Sequence, residues 1–251
     1  MNCHMYNSTG VTIDQCHALF EKLNNHPKRY TVPPILGLLG ALVVTLKYLR
    51  RNRVQAELAE SHGVSQSTIS RAIAAVTTLL ADALEEDIPT LADVPTNTTL
   101  LIDGTILPCL DWADQPSLYS VKHHHTGVNI QVITDTLGRL HWISSPLPGS
   151  THDVTALDTH DILTHLDPTK IIADKGYIGR GLTTPVRTPP RGHLTSDDEE
   201  HNPHINHIRW PVEQAIAHLK TWRILSTIYR RPYTTFETTI KAVLGIIFGI
   251  L

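Results

Sequence analysis

The stretch LLIDGTILP, Leu100–Pro108, is an apolar, β-branched run with one carboxylate, Asp103, inside it. A short run of this kind between polar, turn-forming segments predicts a core strand. An acid that leaves water unpaired costs several kcal/mol or more. Asp103 therefore needs a bound cation, or a local hydrogen bond at a turn or cap. Taken alone it reads as a turn or cap acid; two acids further along, Asp174 and Glu213, are what favour the cation.

On the C-terminal side the strand-and-turn texture continues. Gly127–Thr134 (GVNIQVIT) alternates, and Leu140–Ser145 follows the Leu137-Gly138 turn, so three successive antiparallel strands are expected. Asp153–Leu166 is predicted as a helix capped by Thr151 or Asp153, and Lys170–Ala173 as a short strand running into Asp174. Pro185–His204, rich in Pro, Gly and acids, is expected to be an irregular loop. A helix over Ile205–Trp222, interrupted or restarted near Pro211, precedes an apolar C-terminal helix. Together these elements predict a layered α+β or α/β domain.

On the N-terminal side, residues 1–34 show weak periodicity and end in Pro33-Pro34. Ile35 to about Leu49 should be a buried helix. In the following RVQAELAESHGVSQSTISRAIAAVTTLL, residues Leu58, Val64, Ile69, Ala72 and Ile73 fall at core spacings for two helices around a tight turn. Ala59 is small where the helices would cross, Gly63 sits at the reversal, and Ser65 is a good N-cap. Gln66, Ser67, Ser70 and Arg71 then face outward. This is a helix-turn-helix pattern with a polar face suited to major-groove base edges, against the plainer reading of a helical hairpin. The expected division is an N-terminal segment 1–34, a small all-α helix-turn-helix domain 35–90 and a larger domain 97–251.

The 251 residues allow one large domain or a large and a small one, and the net charge of −3 argues against a surface that binds nucleic acid everywhere. Local charge is different: Lys47, Arg50, Arg51 and Arg53 form one basic run, and Arg209, Lys220, Arg223, Arg230 and Arg231 crowd the C-terminal part. Each could meet phosphate or be a solvated helix face. Cys3, Cys16 and Cys109 have no metal spacing and form no even disulfide set, as expected of a chain in a reducing cytosol. No secretory signal is visible, and the apolar stretches Ile35–Leu46 and Ala242–Leu251 are too short to span a bilayer, so no membrane partner is expected.

Asp103 within a strand, Asp174 ending another and Glu213 on a helix can converge over a sheet edge. Such a cluster would repel itself unless divalent cations bound it; two ions about 3.5–4 Å apart activate a water or 3′-hydroxyl and stabilise the leaving oxygen of a phosphodiester. Ligation by oxygen alone favours Mg²⁺ or Mn²⁺. Spacing does not single these three out, since Asp111, Asp114, Asp135, Asp153, Asp158 and Asp161 compete.

Five motifs in order are more specific: IDGT with Asp103, YSVKHHHTGVNIQV from Tyr119, LPGSTHD from Leu147 to Asp153, ADKGY with Asp174, and Asn206-x-x-Arg209-x-x-x-Glu213 with Lys220 seven residues beyond. In this series the second half resembles the catalytic domain of DDE-superfamily transposases, of the bacterial insertion-sequence branch near the Harbinger-type nucleases. Asn206 stands where many relatives have Tyr. The upstream helices resemble the module paired with that domain, so the resemblance covers about residues 35–245. It implies an RNase H-like catalytic domain, a mixed sheet flanked by helices, and a cytoplasmic, nucleoid-associated bacterial enzyme. It also implies Asp103, Asp174 and Glu213 as catalytic metal ligands for two Mg²⁺ or Mn²⁺ ions. Arg209 and Lys220 would hold DNA phosphate, unless they form surface ion pairs with Glu213 or loop acids.

Further candidates are weaker. In an extended segment His123 and His125 share a face and His124 does not, but DNA contact by Lys122 is favoured over a metal site there. Asp153 reads as a helix cap or a group behind the ligands. Trp210 and Trp222 could stack on splayed DNA bases but read by default as core, and Lys175 and Tyr177 as DNA contacts beside Asp174 or as packing. The function expected is that of a transposase, acting as a homodimer on element ends and target DNA, that cleaves and joins strands. The rivals are a helix-turn-helix regulator with an inactive nuclease-like domain, and a metal-dependent endonuclease without strand transfer.

Overall fold

The computed structural model describes residues 3–28, 30–111, 114–189 and 192–251. The turn-rich segment after the first strand and the loop expected over 185–204 are thus described only in part. The chain packs as two units, residues 1–88 with 220–251, and residues 89–219.

The first unit begins with α1 (Cys3–Thr9), α2 (Ile13–Asn25), α3 (Gly37–Arg51), α4 (Gln55–His62) and α5 (Gln66–Ala83). The two N-terminal helices were not expected from the weak periodicity of residues 1–34. The signal for α2 is the capping box at Thr12, whose side chain accepts from the Gln15 N–H while the Gln15 side chain accepts from the Thr12 N–H. The helix-turn-helix forms as predicted. Gly63 closes α4 in the left-handed conformation (φ 61°), and Ser65 caps α5 by accepting from the Thr68 N–H. Leu58, Ile69, Ala72 and Ile73 are buried, as their spacing requires.

The second unit contains β1 (Leu100–Pro108), β2 (Tyr119–Ser120), β3 (His125–Asp135), β4 (Leu140–Ile143), β5 (Leu147–Pro148), α6 (Asp153–Thr159), α7 (Ile162–His165), β6 (Ile171–Ile172) and α8 (Ser196–Leu219). The sheet is mixed: β1 pairs antiparallel with β3 and parallel with β6, and β4 and β5 add to β3. One face of β1 and β3, with Leu100, Ile102 and Ile133, packs on Leu157 of α6 and Ile162 of α7. α8 packs against β1 and β3 as well. Helices thus flank a mixed sheet, in the RNase H-like arrangement.

Three expectations are corrected here. The helix over Asp153–Leu166 is split, because Asp161 takes a left-handed backbone (φ 51°), and neither Thr151 nor Asp153 caps it; His152 precedes α6 without a side-chain cap bond. The segment Ser196–His204 is helix, started by Thr195, which exchanges hydrogen bonds with Asp198, and favoured by acids in its first turn. α8 also runs through Pro211 without a break.

The chain then returns to the first unit with α9 (Arg223–Ser226) and α10 (Phe236–Gly249). The expected segment 97–251 is therefore shared between both units by packing. The cause is the apolar α10, which lies on α5, with Gly245 so close to Leu84 that a Cβ would meet its side chain at 2.5 Å.

Candidate active site

Asp103 lies mid-way along β1, where strand alternation turns it to the face opposite Gly104. Its Oδ1 accepts from the Gly104 N–H at 2.9 Å, and its Oδ2 is paired with Arg209 of α8 at 3.2 Å. Burial pushes the Asp103 carboxyl up to about 6; Arg209 pulls it down, and Asp174 and Asp153 push it further up. Arg209 is itself buried, and its Nε has no hydrogen-bond partner among the described residues.

Asp174 follows β6, the strand parallel to β1, so Asp103 and Asp174 stand on neighbouring strands. Asp174 starts a tight turn by accepting from the Gly176 N–H at 2.6 Å. A third acid arrives from α6. Asp153 Oδ2 is 3.1 Å from Lys122, and its Oδ1 lies 3.5 Å from the Asn129 amide. Asn129 in turn accepts from Gln131, whose carbonyl accepts from the Tyr177 hydroxyl, so a buried polar chain on β3 supports Asp153 from beneath.

Two glycines make that approach possible. A Cβ on Gly104 would collide with Asp153 Oδ1, and one on Gly176 would lie 2.8 Å from both Asp153 Oδ2 and Asp174 Oδ1. Burial pulls the Lys122 ammonium down, yet Asp153, Asp174 and Asp103 together hold it above its ordinary value. Asp153 thus stands against Gly104 and Gly176 beside Asp174, and acts on Asp103 electrostatically from the other face of β1. The glycine after Asp103 and the glycine two residues after Asp174 are the sequence signal of this approach.

Glu213 lies on α8 one turn beyond Arg209 and is exposed. Among the described residues no three of His, Cys, Asp and Glu stand together as ligands of one ion. The chemistry of the site nonetheless fits divalent cations. Its donors are all carboxylate oxygens, and their charge is offset by two cationic side chains, Arg209 at Asp103 and Lys122 at Asp153. The acids of this region are Asp103 on β1, Asp174 after β6 and Asp153 on α6, with Glu213 one turn beyond Arg209 on α8.

The competing acids have other roles or are exposed. Asp135 ties the Leu137–Arg139 turn, Asp158 pairs with Arg180, and Asp111 and Asp114 are exposed. Lys175 is exposed beside Asp174, whereas Tyr177 is buried. Trp222 is core as expected, but Trp210 is 57% exposed on α8, because its helix position faces away from the sheet partners of Arg209. The histidine run is a turn, with His124 left-handed (φ 56°) and the rings of His123 and His125 6.0 Å apart. Gln66, Ser67 and Arg71 are exposed on α5 and Ser70 is half-buried. Lys220 begins the part of the chain that packs with the first unit.

Residues 102–248 match the family described as DDE superfamily endonuclease, and residues 36–86 match the helix-turn-helix of DDE superfamily endonuclease. The chain is 32% identical over 196 residues to "Putative transposase for insertion sequence element IS112" of Streptomyces albus G, covering 77% of this chain and 73% of that protein. It is 25% identical over 244 residues to "Probable transposase for insertion sequence element IS702" of Microchaete diplosiphon, covering 90% and 84%. No solved structure gives a significant match.

Proposed function

As this chain belongs to the DDE superfamily of endonucleases, we propose that it is an insertion-sequence transposase that binds the ends of its element, cleaves DNA phosphodiesters and transfers the freed strands. The helix-turn-helix reads the element end through Gln66, Ser67, Ser70 and Arg71, whose amide, hydroxyl and guanidinium groups suit base edges. Asp103, Asp174 and Glu213 would hold Mg²⁺ or Mn²⁺, with Asp153 as a further carboxylate nearby; ions bound there would supply an activated water or 3′-hydroxyl and stabilise the leaving oxygen. Lys122, Lys175, Arg209 and Lys220 contact the DNA backbone near the scissile phosphate. The partnerless Nε of buried Arg209 supports this role, since a buried donor without an acceptor is costly and a phosphate oxygen would satisfy it. Two ends held together call for two copies of the chain.

The observation that supports this reading is that Asp153 and Asp174 both crowd Gly176, while Asp103 on the strand parallel to β6 is paired with Arg209 and Asp153 with Lys122. The test is purified protein with Mn²⁺ and a supercoiled plasmid bearing the element ends. Nicking lost in Asp103→Asn and Asp174→Asn is expected; nicking unchanged in both overturns the site. A joining assay with pre-cleaved ends separates a transposase from an endonuclease that stops at cleavage. One observation favours the second reading, a DNA-binding regulator with an idle catalytic domain: Arg209 is held against Asp103 as its counter-ion at 3.2 Å. That reading requires that no metal produce cleavage.

A further inference from the structure

Two basic runs, at residues 47–53 and 223–231, lie far apart in the sequence and have no part in the carboxylate site. In the first unit they meet. Arg51 and Arg53, at the end of α3 and just beyond, and Arg223, which begins α9, line one open concavity of about 530 Å³ with Asn52, Val54 and Glu57. All three arginines are exposed. Among the described residues Arg51 and Arg223 have no carboxylate partner, and Arg53 has only the long 3.8 Å contact to Glu57 of α4. The concavity therefore carries three positive charges against one negative.

Its shape is held by Asn52. That residue ends α3 in the left-handed conformation (φ 46°), and its amide donates to Thr227 Oγ1 at 2.7 Å and to the Ile228 carbonyl at 3.3 Å. Arg230 closes the joint by donating to the Asn52 backbone carbonyl at 3.0 Å and to its side-chain oxygen at 3.2 Å. Like charges brought together by a specific hydrogen-bonded joint, without acids to neutralise them, raise the energy of the folded chain unless a polyanion is the partner. Val54, immediately before α4, makes no side-chain cap bond, so the first N–H groups of that helix add to the positive field.

We propose that this concavity seats the DNA backbone next to the helix-turn-helix, gripping phosphates through Arg51, Arg53 and Arg223 without reading sequence. α4, which it borders, is the first helix of the motif, and α5 carries the base-reading side chains, so one surface positions the duplex and the other discriminates. The inference rests on the DNA-binding reading above.

The test uses the full chain and a random-sequence 30-base-pair duplex, with affinity measured by fluorescence anisotropy over a salt series. Each of Arg51→Gln, Arg53→Gln and Arg223→Gln is expected to lower the slope of log K against log salt by about one, and the triple variant by about three. Glu57→Gln removes the one acid and is expected to tighten binding, a gain that misfolding cannot imitate. The triple Arg→Lys variant is expected to keep most of the slope. Wild-type binding with an unchanged slope in the triple Gln variant overturns the proposal alone. If the wild type shows no salt-dependent binding, the DNA-binding reading falls with it.

Discussion

The proposed carboxylate site has a sheet side and a helix side, and they are built on different terms. On the sheet side Asp103 is fixed mid-strand, largely buried, hydrogen-bonded to its neighbour's N–H and pressed by two other acids. On the helix side Glu213 stands exposed on α8. The two are linked by Arg209, which shares the Glu213 face of α8 and pairs with Asp103. The sheet carries the desolvation cost in advance; in the proposed site the helix would add its acid one turn beyond the cation that pairs with Asp103.

The strongest way to break this contrast is by activity. Asp103→Asn and Asp174→Asn should each lower metal-dependent nicking by about a thousandfold or more, the loss expected when several kcal/mol of charge stabilisation disappear. Glu213→Gln should cost as much, read on the same gels. If Glu213→Gln nicks normally while Asp153→Asn does not, the acid of α8 is not needed and the third place belongs to α6.

Stability should then separate Arg209 from Glu213. Arg209→Leu leaves Asp103 without its counter-ion and should destabilise the second unit by about 3 kcal/mol or more in urea unfolding. Glu213→Gln, at an exposed helix position, should stay within about 0.5 kcal/mol.

The pH dependence sharpens the sheet side. The folded pKa of Asp103 is raised to about 6, so the folded chain holds that proton more tightly than the unfolded chain does. Its contribution to stability therefore falls as pH rises from about 4 to about 6, by at most about 3 kcal/mol. Asp103→Asn removes the titration, so the variant should gain on the wild type across that window in EDTA. Added Mg²⁺ should favour the wild type by binding its folded state. The smallest effect belongs to Lys122→Gln: its pair with Asp153 is largely exposed on the lysine side, and the loss should be under about 1 kcal/mol.

The same contrast explains what could be read in the sequence. Strand alternation in β1 and β3 and the Gly63–Ser65 punctuation are local signals, and both elements stand where they were expected. What escaped depended on contacts between distant residues. That Asp153 reaches the sheet is decided by the missing Cβ atoms of Gly104 and Gly176, which no periodicity records. The start of α8 was hidden by composition: its acids and Pro203 look like loop, although Thr195 and Asp198 are a good helix opening. The meeting of Arg51 and Arg53 with Arg223 follows from the return of the chain to the first unit, and neither basic run announces the other.

The four-residue interval between Arg209 and Glu213 constrains length as well as chemistry. The clasp on Asp103 fixes how α8 is rotated about its axis. Each residue inserted or removed between the two would swing everything beyond by about 100°. Conservative exchanges along that turn can be absorbed, but a single-codon deletion would take the glutamate off the Arg209 face of α8 while leaving every carboxylate in the protein.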